Sequence, residues 1–137
     1  MLWRNRLLQL IVIVLSPATA LLAEDASNCS AATVHGSYGM LGTGTLPGFG
    51  DFAAVGRLVY DGKGNLAGKL YLRVAGNNFG PFEFTGTYSV SPDCTMKDKW
   101  SDGATHTSVI VDQGKQFFLV NDTPGSGETA SGHAIRQ

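Results

Sequence analysis

His35, His106 and His133 are the side chains in this sequence best suited to acid–base work or metal binding. Imidazole titrates near neutral pH and is the commonest protein metal ligand. Their spacing supplies no HxH or HExxH pair, so nothing in the linear pattern gathers them. Only a fold that joins its first and last strands would make His35 and His133 neighbours, with Glu83 or Asp102 as a carboxylate partner. The simpler expectation is that the histidines face solvent or take ordinary hydrogen bonds, and no metal or catalytic residue is assigned. Ser37, Ser108 and Ser131 are nucleophiles by type, yet no GxSxG elbow surrounds them. Asp61 and Asn65, in the run DGKGN, have the chemistry of a calcium loop without its remaining carboxylates, and a tight hairpin asks for the same residues.

The aromatic residues say more. Phe49, Phe52, Tyr60, Phe79, Phe82, Phe84, Tyr88, Trp100, Phe117 and Phe118 exceed what a narrow β-barrel buries in its interior. Some must therefore cover a mouth or an outer face. Gly48-Phe49-Gly50 and Asn78-Phe79-Gly80 each set a Phe between small, flexible residues, which reads as a loop able to lie over a cavity. Arg136 shares the parity of Ala130 and Ala134, which makes it the best candidate for an inward-facing charge. Phe49, Phe79, Tyr88, Trp100 and Arg136 are accordingly the expected ligand-binding residues. No cofactor motif accompanies them.

Cys29 and Cys94 are the only cysteines. Neither has a CxxC partner, and the chain begins with an export signal, so they read as one disulfide. Closing a loop of about 66 residues contributes roughly 4 kcal/mol by chain-entropy arithmetic. The signal is Arg4 and Arg6, then the apolar run Leu7 to Leu15, then Ser16-Pro17 and the small residues Ala18-Thr19-Ala20. That run is too short to span a bilayer, which takes about 20 residues. Residues 1–20 are thus a leader, 21–33 an N-terminal arm, and 34–137 one domain. The location expected is periplasmic or secreted, with no membrane span once the leader is gone. Losing Arg4 and Arg6 moves the formal charge from −1 to −3. With no basic stripe to follow a phosphate backbone, nucleic acid is excluded as a partner.

The elements that must position these residues are strands. Apolar residues recur at every second position from Val34 onward. Phe82, Phe84, Tyr88 and Val90 alternate with Glu83, Thr85, Thr87 and Ser89, and Leu66, Leu70, Leu72 and Val74 with Lys69, Tyr71 and Arg73. Arg73 and Glu83 therefore fall on the wet face. Turn residues at 61–65, 77–81, 91–93, 101–103, 112–115 and 121–127 separate strands at 34–42, 51–60, 66–75, 82–90, 94–100, 104–112, 115–121 and 128–136. Eight short-linked strands predict an all-β antiparallel meander closed into a small barrel, since closure removes exposed edges. A β-sandwich is the alternative.

The segments CSAATVHGSYG, YDGKGN, FTGTYSVSPDCT and SGHAIRQ resemble a family of small exported bacterial proteins with a G-T-Y-x-V-x-x-D-C-T signature. The resemblance runs from Cys29 to Gln137, and it implies an exported domain without implying an activity. Met96 stands where that family often has glycine after D-C-T, which bears on the local turn or bulge. The strand pattern is also similar to calycin-like and allene-oxide-cyclase-like barrels, an analogy of fold alone. Three functions fit these features. The first is a binding module for a small hydrophobic or amphipathic ligand. The second is a structural or interaction protein that meets another envelope protein through an aromatic outer patch. The third, least favoured, is a cyclase- or isomerase-like enzyme that would need a buried Glu, His or Arg in a deep pocket.

Overall fold

The computed structural model describes residues 28–137, which form one closed eight-stranded antiparallel barrel in which each strand pairs with its neighbours in chain order. The strands are β1 (His35–Leu46), β2 (Gly50–Asp61), β3 (Asn65–Val74), β4 (Asn77–Val90), β5 (Thr95–Trp100), β6 (Thr105–Val111), β7 (Gln116–Asn121) and β8 (Thr129–Arg136). Closure comes from β1 and β8, paired from Tyr38↔Arg136 to Thr45↔Thr129. The barrel is therefore correct and the sandwich is not. The expected leader, residues 1–20, and the start of the arm lie outside the described residues.

Period-two burial runs round the sheet as alternation requires. Tyr38 and Met40 on β1, Leu58 and Tyr60 on β2, Leu66 and Leu70 on β3 and Met96 and Trp100 on β5 are buried, while their sequence neighbours are not. Toward the end where β1 begins, the interior is solid. Tyr60 lies against Tyr38, Tyr88 and Phe117 with ring centroids 5.5, 5.0 and 5.6 Å apart, all close to perpendicular. Edge-to-face contacts of this kind add to the area the rings bury.

The arm plugs that end. Ala31–Thr33 form one 3₁₀ turn, and Val34 behind it is fully buried. The Tyr88 hydroxyl lies 2.9 Å from the carbonyl of Ala31 and 2.8 Å from that of Val34, and the Tyr38 hydroxyl donates to the carbonyl of Gly114. Gly114, at φ 84° in the β6–β7 turn, lies so near the carbonyl oxygen of Thr33 that a Cβ would sit 2.0 Å from it, so this position tolerates only glycine. Cys29 and Cys94 are disulfide-bonded, with Cα atoms 5.0 Å apart. The bond ties the arm to the β4–β5 turn, as their sequence positions imply. It also fits an oxidising compartment.

Of two expected turns, one forms as expected and one does not. Asp61–Asn65 is the hairpin expected: Asp61 Oδ1 accepts from the backbone N–H groups of Lys63 and Asn65, and Gly62 and Gly64 take positive φ. Asn77–Pro81, expected as a loop, is instead the start of β4, and the turn is Ala75-Gly76, both at positive φ. The Gly and Pro there serve a bulge. Leu70 pairs with Phe82 and Leu72 with Phe79, so Gly80 and Pro81 together face Tyr71.

Candidate functional site

At the other end of the barrel the interior opens into a cavity of about 300 Å³. Its wall is mostly apolar: Met40, Phe52, Ala54, Leu70, Leu72, Phe82, Phe84, Trp100, Leu119 and Ala130. The room arises because β1 and β8 carry small inward residues here, Gly42, Gly132 and Ala130, where the closed end has Tyr38. Phe84 and Trp100 stack at 4.0 Å with an interplanar angle of 20°, forming one aromatic wall. The Phe84 ring lies over Gly68 on β3, where a Cβ would come within 2.2 Å of it.

Polar groups enter this cavity as one cross-strand row. Asp98 on β5 is paired with His106 on β6, and His106 with Asn121 on β7. Side chains that share such a row lie side by side on one face of the sheet. His106 Nδ1 lies 2.7 Å from Asp98 Oδ1, and both side chains are buried. The aspartate fixes the ring so that Nδ1–H donates and Nε2 is left for the cavity that His106 lines. Among the described residues Nε2 makes no hydrogen bond. The Asn121 Oδ1 accepts from the backbone N–H of Thr123 at 3.0 Å, which leaves its amide NH2 as the free end. The His106 ring also rests on Trp100, centroids 4.3 Å apart.

Tyr60 Oη, Ser108 Oγ and Trp100 Nε1 are enclosed polar atoms with no hydrogen-bond partner among the described residues. Burial and the nearby Asp98 push the Tyr60 hydroxyl well above its usual range. It therefore stays protonated and neutral. At the rim Asp102 and Glu128 line the opening, and among the described residues no lysine or arginine does. Burial raises Glu128 from the ordinary glutamate value.

Of the residues expected to bind a ligand, Trp100 lines this cavity. The others lie elsewhere. Phe49 is at the tip of the β1–β2 hairpin, 72% exposed, and does not line the cavity. Phe79 belongs to a strand, not a lid loop, and is half exposed beyond the bulge. Tyr88 is packed in the solid half with its hydroxyl on the arm. Arg136 has inward parity, as expected, but stands opposite Tyr38 at the closed end, its Nη1 3.2 Å from His35 Nε2. His35 and His133 are not brought together: His133 pairs with Leu41, stacks on Phe118 at 4.5 Å and bonds Gln116. Glu83 bridges to Lys69 at 2.8 Å on the surface, and Arg73 bonds Asn78. No group of three His, Cys, Asp or Glu side chains that could hold a metal occurs among the described residues.

Asp98, His106, Asn121 and Glu128 were not singled out from sequence as a set. For Asp98 the signal was present: in TMKDKW, Lys97 and Lys99 must face water, which sends Asp98 inward with Met96 and Trp100.

No protein-family model and no curated protein matches the chain. Among solved structures it is similar to a redesigned β-barrel, with a TM-score of 0.52 and 18% identity over 78% of this chain and 94% of that one. A second is a de novo designed fluorescence-activating β-barrel, with a TM-score of 0.51 and 18% identity over 78% and 96% of the two chains. At this identity the likeness is one of fold.

Proposed function

We propose that this chain is an exported binding module that holds a small hydrophobic or amphipathic molecule in the open end of its barrel. The observation that carries this reading is the cavity itself. It is about 300 Å³, at the small end of the range for ligand pockets, and combines an apolar, aromatic wall with a few converging polar groups. The fold supports it, since one designed barrel with the same architecture is described as fluorescence-activating. Export rests on the leader pattern at residues 1–20 and on the disulfide. The bacterial family resemblance points to the periplasm or the medium.

Trp100 gives a direct test. Its ring is part of the wall, so a ligand entering the cavity changes its fluorescence, and Trp100→Phe identifies that signal by difference. Native mass spectrometry of protein purified from its own source is expected to show a non-covalent small-molecule adduct lost on denaturation. Absence of any adduct, with no fluorescence response to a panel of apolar and amphipathic probes, would overturn the reading.

A second reading has its own observation. Leu41, Val109, Phe118, Val120 and Ile135 lie on β1, β6, β7 and β8 and are each about half exposed. Leu41, His133, Phe118 and Val109 form one row across these four strands. Such a face suits an interaction protein of the envelope. Replacing Phe118 and Val120 by Thr would then abolish capture of a partner and leave small-molecule binding intact.

A further inference from the structure

The row Asp98–His106–Asn121 says what kind of molecule fits. Resting on the binding reading above, we infer that the ligand is a neutral aromatic hydroxyl compound, a phenol or its fused-ring analogue, that enters hydroxyl-first. In its neutral form His106 presents Nε2 as an acceptor, because the Asp98 carboxylate takes the hydrogen bond from Nδ1–H. Asn121, next to it in the register, presents its NH2 as a donor, because its oxygen is already taken by the N–H of Thr123. An acceptor beside a donor is the complement of a hydroxyl group, which donates one hydrogen bond and accepts another.

Three features narrow the class. The Phe84–Trp100 stack offers flat apolar surface, which matches a planar ring better than a flexible chain. The buried carboxylate behind His106 strengthens its Nε2 as an acceptor, so a more acidic O–H is held better than that of an aliphatic alcohol. Asp102 and Glu128 at the rim, with Asp98 below and no lysine or arginine among the described residues of the lining, disfavour a carboxylate or phosphate. A ligand that offers only a hydrophobic body leaves both His106 and Asn121 unpaired and loses affinity on that account.

The test uses four probes of one shape on the purified protein: 2-naphthol, naphthalene, 2-naphthoate and 2-naphthylmethylamine, measured by Trp100 quenching and calorimetry. 2-Naphthol is expected to bind about tenfold tighter than naphthalene, the worth of a hydroxyl paired at both ends. 2-Naphthoate is expected to bind more weakly than naphthalene. Asn121→Ala should remove most of the naphthol advantage, partly by improving naphthalene binding, since naphthalene then leaves no amide unpaired. Because Asn121→Ala also removes the bond to Thr123, replacing Asp98 and His106 together by Leu supplies an independent check with the same expected pattern. Equal affinity for naphthol and naphthalene would overturn the hydroxyl assignment while leaving the cavity as a binding site. Tighter binding of the amine or the carboxylate would overturn it in favour of that charge. Binding of none of the four would overturn both this inference and the binding reading on which it rests.

Discussion

Toward the closed end, β1 and β2 send Tyr38, Leu58 and Tyr60 inward, and the arm seals the opening beneath them. Toward the open end the same two strands send Gly42, Gly44 and Ala54 inward, and β8 adds Gly132 and Ala130. The β1–β2 and β1–β8 pairing runs uninterrupted through both halves, so on these strands side-chain volume decides which is core and which is cavity. An eight-stranded barrel is near the width at which its interior can be filled by side chains or left to hold one small ligand. This chain uses both options, and the Asp98–His106 pair marks the boundary between them.

The largest effects are expected where the filled half is emptied. Phe117 is fully buried against Tyr38 and Tyr60. Phe117→Ala should cost roughly 3–5 kcal/mol, measured by urea unfolding. Leu72→Ala, at the half-buried mouth, should cost clearly less, since no closed cavity forms there. If the two lose equal stability, the halves are not energetically distinct.

Next in size is the staple. Cys29 and Cys94 hold the plug under the solid half, and replacing both by Ser should cost roughly 2–4 kcal/mol. The comparison predicts more than a loss of stability: hydrogen exchange should rise first in Val34 and its neighbours, with the open end little changed. Uniform loosening would mean that the plug serves both ends alike.

A smaller effect on stability comes with a complete effect on binding when the hollow half is filled. Ala130 lines the cavity and is partly exposed. Ala130→Leu should shift stability by no more than about 1 kcal/mol, because the added atoms enter open space rather than packed core. It should nonetheless abolish uptake of a small ligand, seen as loss of the Trp100 response. Retained binding in this variant would place the ligand elsewhere, with the outer face as the alternative.

The same contrast explains how much of the molecule could be read in the sequence. The solid half was legible, because large apolar residues at every second position, such as Leu66, Leu70 and Tyr88, fix both strand and face. Eight short-linked strands were legible and favoured closure, but only the β1–β8 pairing decides between barrel and sandwich. The cavity was not, since Gly42, Gly132 and Ala130 are also what a turn or a coiled strand would use, and only register shows that they meet. Asn77–Pro81 misled for a related reason: Gly80 and Pro81 signal a turn, but a bulge opposite Tyr71 accommodates both, while the true turn begins at Ala75, a residue with no intrinsic preference for its φ of 46°. Aromatic loops drew the ligand expectation to Phe49 and Phe79, whereas the polar row lies on three consecutive strands, β5, β6 and β7. Asp98, His106 and Asn121 become one row only through the β5–β6 and β6–β7 registers.

The finest test of the boundary lies at the rim, where two carboxylates near the β7–β8 connection are shifted in opposite senses, one by hydrogen bonds and one by burial. Asp122, on the outside, accepts from the Thr107 and Thr105 hydroxyls at 2.6 and 2.8 Å, and these bonds lower it from 3.8. Its contribution to stability is present above that ordinary value and is lost as pH falls through the lowered one. Glu128, facing the cavity, is raised from 4.5 chiefly by burial. Its folded form binds the proton more tightly, so its contribution is fully present below 4.5 and is lost as pH rises through the raised value. Glu128→Gln should therefore match the parent protein in acid and exceed it at neutral pH. Because the carboxyl is partly solvated, the gain should stay below about 0.5 kcal/mol. Melting temperature followed from acid to neutral pH would show the two curves diverging just above the ordinary glutamate range. Parallel curves would mean that Glu128 senses water rather than the cavity, and that the hollow half begins deeper, at His106.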